Sequence, residues 1–308
     1  MITAVGIVLL TIDAVILAAS GSCSLFIFAV DLLDLINTKK LKLTDQLIFG
    51  ISISGILFAL LKIYRHVALV FMWGFIFDVN NGIMLAFYMM LMSFNLWFCT
   101  WLCLHFCLKI VNVNNGFYIF LQRRFFKMFP WLYFPSVMGS LLVAIPFAWY
   151  GTNSLQMNTT RCDTIGNGSL TYMTSRKQSN FLYAYLVAST LGFVLCSASV
   201  VTIIFSLYGH VKKMRLNSEG SRMPTMKAHV HAAKTVASLL FQYIILFTIL
   251  IIVVFKVDEL LCDIFSIITS VSHLICFLNL IKGNMKLDKA LRNILARCPF
   301  HGVFEILA

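Results

Sequence analysis

Met84-Leu85-Ala86-Phe87-Tyr88-Met89-Met90-Leu91-Met92-Ser93-Phe94-Asn95-Leu96-Trp97-Phe98-Cys99-Thr100-Trp101-Leu102-Cys103-Leu104-His105-Phe106-Cys107-Leu108-Lys109-Ile110 carries no Asp, Glu, Lys or Arg before Lys109 and no Gly or Pro. About twenty such residues in a helix rise far enough, at roughly 1.5 Å each, to cross about 30 Å of hydrocarbon. Six more runs of this kind surround it. Together the seven cover about residues 4–30, 47–69, 84–110, 128–150, 182–207, 235–255 and 264–281. The second is the least uniform, because Lys62, Arg65 and His66 fall in its later half. Charges at that depth are expected to snorkel to an interface or to face a wet cavity. Helices are expected throughout, since a spanning barrel would show ten-residue stretches of strict alternation.

Composition agrees with repeated spanning. Of 308 residues, 60% are hydrophobic and 12% charged, against roughly 25% charged in an average soluble domain. The first run has no basic residue before it and stays apolar to Val30, so it reads as a helix of the mature chain and not as a cleaved signal. Neither a soluble domain nor a repeat relating the two halves is found, and transporter folds commonly carry such a repeat.

Orientation follows from Lys and Arg. With the amino terminus outside, 18 of the 24 Lys and Arg fall on the inner side, as the positive-inside rule requires. The formal charge of +12 is thereby a property of membrane loops that face anionic lipid and cytosolic partners, and nucleic acid is not an expected partner. Asn158-Thr159-Thr160 and Asn167-Gly168-Ser169 are the two glycosylation acceptors, and both lie in the loop assigned to the outside. This predicts a multi-pass plasma-membrane protein with an extracellular amino terminus and a cytoplasmic carboxyl terminus.

Cys23, Cys99, Cys103, Cys107, Cys196 and Cys276 lie within apolar runs and read as small buried hydrophobes. Cys162 and Cys262, both on the outer side, leave a pairing open, and Cys298 is a candidate for palmitoylation. Beyond Lys282, residues 286–296 place Leu287, Leu291, Ile294 and Leu295 around Lys289 and Arg292, the spacing of a short amphipathic helix along the inner leaflet. The expected fold is therefore an all-α integral membrane protein, a single domain over 1–308 made of a seven-transmembrane helix bundle and a short amphipathic eighth helix.

Two blocks carry a family resemblance. Leu96-Trp97-Phe98-Cys99-Thr100 through Phe106-Cys107-Leu108-Lys109-Ile110 is similar to the third helix of the bitter taste receptors, the type 2 taste receptor family of G protein-coupled receptors. In the third inner loop, His210-Val211-Lys212-Lys213-Met214, Asn217, Gly220, Arg222, Pro224, Lys227-Ala228-His229 and Ala233-Lys234-Thr235 follow that family's pattern without a gap, with Tyr243 in register. Asp45 and Gly283-Asn284-Met285-Lys286-Leu287 match as well. The chain also departs from the family. Ser24 stands where Asn is usual, Gly55 where Arg is usual and Gly192 near the place of a proline, while Met223 replaces an aspartate and His273 lies one turn before the expected histidine.

The resemblance implies an outward-opening cavity for bitter small molecules between helices 3, 5, 6 and 7. It further implies a gustducin-like or inhibitory-class heterotrimeric G protein on the inner side, with phospholipase C and calcium downstream. For ligand binding it points to Trp97, and helical spacing adds Trp101, one turn on, with Thr100 between them. Either indole, Trp101 more than Trp97, also suits a lipid interface. Ser266 takes the place of an agonist-contacting glutamate and Ser270 follows one turn later, so no salt bridge to a cationic ligand is expected there; either hydroxyl also suits a bond to its own helix. Asp13 is an intramembrane carboxylate and a functional suspect by that fact, or a group facing a wet outer cavity. Lys109, Arg123, Arg124, Lys212, Lys213, His229 and Lys234 are expected around the G-protein opening, where positive-inside topology explains them equally well.

His229 and His231 stand two apart on different helix faces with no acidic or thiol neighbour in sequence, so no metal is expected. No catalytic motif and no cofactor site is found. Two rivals remain at this level: a vomeronasal type 1 pheromone receptor, and a small-solute transporter or channel. A second copy of the chain is a candidate partner.

Overall fold

A computed structural model describes residues 4–70, 74–111, 116, 119–120, 124–125, 131–142, 144–146, 148, 169–217, 224–255 and 259–297. Its helices are α1 (Ala4–Thr38), α2 (Leu43–Val70), α3 (Gly74–Ile110), α4 (helical residues 131–142), α5 (Ser169–Asn217), α6 (Pro224–Phe255), α7 (Glu259–Gly283) and α8 (Met285–Arg297). Among the described residues five helices have the length and apolarity to cross a membrane, and α4 and Thr235–Ile249 of α6 are shorter apolar stretches.

Several helices outrun the apolar segments that announce them. Helix α5 begins at Ser169, not 182, and ends at Asn217, not 207, while α1 continues past Val30 to Thr38. Hydropathy marks only the portion that suits lipid, whereas the backbone ladder continues wherever residues tolerate helix and water satisfies the ends. Pro224 opens α6 at a position where its missing N–H costs nothing. Helix α1 stops in a left-handed turn at Lys39, φ 56°, whose N–H reaches the Leu35 carbonyl at 2.8 Å.

Packing is sequential and closes on itself: α1 against α2, α2 against α3, α3 against α5, α5 against α6, α6 against α7, and α7 back against α1. Helix α3 is the post at the centre, touching α2, α5 and α6, with Phe98, Leu102 and Cys103 wholly buried. Around it lie Ile27, Leu47, Ile51, Val236, Leu239, Phe277 and Leu280. The outward faces are equally apolar. Val15, Val187 and Phe205 are each more than 70% exposed, which only a lipid surround makes tolerable.

Helix α8 is tied down at its start. Asn284 caps it, its Oδ1 accepting the Lys286 backbone N–H at 3.0 Å, while its Nδ2 donates to Asp45 Oδ1 of α2 at 3.2 Å. Lys286 then bridges Asp31 at 2.9 Å and Asp34 at 2.8 Å on α1. Burial disfavours the Lys286 charge, but the bonds it donates to Asp34 and Asp31 outweigh this and raise its pKa above the ordinary lysine value. Leu287 is fully buried beneath.

Candidate functional site

Two polar departures from the apolar pattern organise the bundle's interior, and neither is where a soluble protein would keep such groups.

The first belongs to α3. Four residues apart on one helix face, Trp97 and Trp101 stack with ring centroids 5.9 Å apart at 28°. Trp101 Nε1 donates to Ser136 Oγ of α4 at 2.8 Å, and Ser136 Oγ in turn donates to the Leu132 carbonyl at 2.9 Å. This bond fixes the indole rotation and uses the only polar atom of a ring whose lipid-facing alternative would leave it unpaired. Both rings remain half-buried. Thr100, fully buried, sends its hydroxyl to its own helix at Leu96 O, 2.9 Å, and to Gly192 O of α5 at 3.4 Å. Tyr243 of α6 donates to the Ser189 carbonyl at 3.0 Å. A Cβ on Gly192 would stand 2.5 Å from the Tyr243 hydroxyl, so the small residue is what lets α6 reach the α5 backbone. Beside it Phe193 and Phe247 stack at 5.0 Å.

The second is ionic and joins α1, α2 and α7. Lys62 and Asp13 are a buried pair, Nζ to Oδ2 3.4 Å, with side chains 2% and 4% exposed. Nζ also donates to the Ser266 carbonyl and to Ser270 Oγ, each at 2.6 Å. Ser266 Oγ donates to Asp13 Oδ2 at 3.0 Å, and His66 Nε2 lies 3.2 Å from the same oxygen. Thus Lys62 neither snorkels nor faces a wet cavity, and Asp13 does not stand in open water. Each is held by the other and by α7, because in a low-dielectric interior an ion persists only when paired and hydrogen-bonded.

Below this network the interior turns apolar. Ser24 bonds back to the Gly21 carbonyl at 2.9 Å. At Gly55 the Phe277 ring occupies the space a side chain would need. His273 stacks on Phe58 at 4.4 Å and its Nδ1 pairs with the Thr269 carbonyl at 2.8 Å. The three departures noted in the sequence at Ser24, Gly55 and His273 are therefore correlated. The polar contacts of α1, α2 and α7 sit near the Asp13 end, and an aromatic plug fills the middle. Sequence reasoning missed Lys62 as the partner of Asp13, although the signal was present: an intramembrane acid calls for a counter-charge at similar depth in a neighbouring helix.

At the other end of α3, Lys109 and Arg124 are exposed, and Arg124 lies over the Phe120 ring at 5.2 Å. Lys212 and Lys213 belong to α5, and His229 and Lys234 to α6; their side chains, with Arg123, Asn158 and Asn167, lie outside the described residues. So do Cys162, Cys298 and the side chain of Cys262. Thr44 Oγ1 and His105 Nε2 join α2 to α3 at 3.0 Å, and Asn279 donates to Ser238 across the α7–α6 seam. Among the described residues no group of three or more metal-binding side chains is found.

Comparison with known proteins bears on this arrangement directly. The family profile for taste receptor protein (TAS2R) matches residues 1–299. Taste receptor type 2 member 40 of Gallus gallus is 28% identical over 231 residues, covering 74% of this chain and 73% of its own length. Taste receptor type 2 member 9 of Macaca mulatta is 26% identical over 279 residues, 88% of this chain and 87% of the relative. Member 41 of Mus musculus is 30% identical over 161 residues, 52% of each. A match over nearly the whole chain, on a closed bundle of lipid-faced helices, means that the protein belongs to the TAS2R family of bitter taste receptors, G protein-coupled receptors of seven transmembrane helices and not enzymes.

Proposed function

We propose that the receptor detects bitter small molecules in an outward-facing site built on the Trp97–Trp101 stack and passes the signal to a gustducin-like or inhibitory-class G protein, with phospholipase C and cytosolic calcium downstream. The observation that carries the reading is the paired indoles, stacked 5.9 Å apart with Trp101 locked to Ser136. Two rigid, half-buried rings offer a large apolar face at little cost in side-chain entropy, which suits an amphipathic ligand. Thr100, Ser266 and Ser270 serve this site from behind. Thr100 sets the α3–α5 spacing, and the two serines hold α7 to α1 and α2.

A ligand that fits one arrangement of the helices better than another shifts the balance by that difference in affinity. The inner end of α6 then swings away from α3 to admit the G protein, with Lys109, Arg123, Arg124, Lys212, Lys213, His229 and Lys234 as its basic rim. The receptor resides in the plasma membrane with its amino terminus and the glycans on Asn158 and Asn167 outside.

Trp97→Ala tests the ligand site. In a cell calcium assay against a panel of bitter compounds, the response is expected to vanish while surface expression persists. An unchanged dose response would remove the indole pair from the mechanism.

A further inference from the structure

On α3, Cys99, Cys103 and Cys107 recur at every fourth residue, which lines three thiols along one face. That face points away from the indole pair, since Trp101 and Cys103 are two residues apart and roughly 200° around the helix. Cys196 of α5 meets it: the Cys103 and Cys196 sulfurs are 3.4 Å apart, and both residues are wholly buried. Cys276 of α7 is also buried. Neither the ligand site nor the α1–α2–α7 network uses any of these thiols.

We propose that Cys103 and Cys196 form an oxidative modification site, converted by a lipid-soluble organic hydroperoxide into a disulfide that staples α3 to α5. The sulfurs are already at van der Waals contact, and closing to the bond length near 2.05 Å takes a shift of about 1.4 Å. Their place inside a lipid-faced bundle selects the oxidant, because hydrated oxidants are excluded and a hydroperoxide on an apolar skeleton is not.

In the first step one sulfur attacks the terminal peroxide oxygen and the O–O bond breaks. This gives a sulfenic acid, and the alcohol takes the thiol proton. In the second step the neighbouring sulfur attacks the sulfenic sulfur, and hydroxide leaves with the second thiol proton as water. Two thiols are oxidised and one hydroperoxide is reduced to alcohol and water. A local opening of the bundle admits the oxidant for the first step. The second joins atoms already in contact and so outruns further oxidation.

The test uses the full receptor in cell membranes with a protease site inserted within residues 112–118, so that cleavage separates α1–α3 from α4–α8. Membranes are treated with cumene hydroperoxide, free thiols are alkylated, and the cut chain is run on a non-reducing gel. The two pieces are expected to migrate as one and to part on adding dithiothreitol. Cys103→Ala and Cys196→Ala should each abolish the linkage, and Cys107→Ala and Cys276→Ala should keep it. Peptide mass spectrometry of the uncut, unsubstituted receptor, which depends on no variant folding, should find the Cys103–Cys196 cross-linked peptide. Pieces that separate without reductant, a linkage that survives Cys196→Ala, or the absence of that peptide would overturn the assignment. No agonist or G protein enters the assay, so its outcome is independent of the ligand reading.

Discussion

At the level of single residues, the Lys62–Asp13 pair carries the sharpest consequences. Removing one member of a buried ion pair leaves the other charge uncompensated, at a cost of about 3–5 kcal/mol, whereas replacing both is often nearly neutral. Lys62→Met is therefore expected to lower surface expression and thermal stability in detergent. The double variant Asp13→Asn/Lys62→Met should recover most of both, and a double variant as impaired as the single one would mean that the pair is not the relevant unit. Asn284 offers a smaller effect. Its side chain both caps α8 and satisfies Asp45, so Asn284→Ala should cost at least the roughly 1 kcal/mol of a lost cap, read as a drop in melting temperature. Each of these residues could be named from sequence. A counter-charge for Asp13 was open to inference as well, but its bond from Ser266 was not, because the two are 253 positions apart and no periodicity connects them.

For whole helices, existence and type were readable because twenty apolar residues in lipid have only one way to satisfy their backbone. Ends were not. The extension of α5 to Ser169 and of α1 to Thr38 is rich in polar residues, which support helix and loop alike and leave hydropathy silent. The path of α2 past α7 was equally hidden, since it depends on the Phe277 ring resting where Gly55 has no side chain. That contact makes a prediction about how closely the two helices approach. Gly55→Ala overpacks the seam at about 1–3 kcal/mol, and a side chain as long as arginine should be tolerated still less. Gly55→Ala paired with Phe277→Leu should regain surface expression relative to Gly55→Ala alone. If alanine at 55 leaves expression and thermal stability unchanged, the helices are farther apart than described.

For the molecule as a whole, the expected sorting of Lys and Arg to one side rests on loop charge alone, while the closure of α7 onto α1 needed three dimensions. The proposed topology is open to a direct check. An epitope at the amino terminus should be stained on intact cells, and one at the carboxyl terminus only after permeabilisation. Asn158→Gln with Asn167→Gln should abolish the mobility shift produced by glycosidase. Helix α5 then has a mechanical meaning. Its 49 residues make a rod of about 74 Å, more than twice the roughly 30 Å of hydrocarbon it crosses. From the Tyr243 contact beside Gly192 to Asn217 the rod runs about 38 Å, so a pivot of about 5° at that fulcrum sweeps its far tip by about 3 Å. A displacement too small to notice among the packed rings becomes, at the Asn217 tip of the lever, a stroke wide enough for another protein to feel.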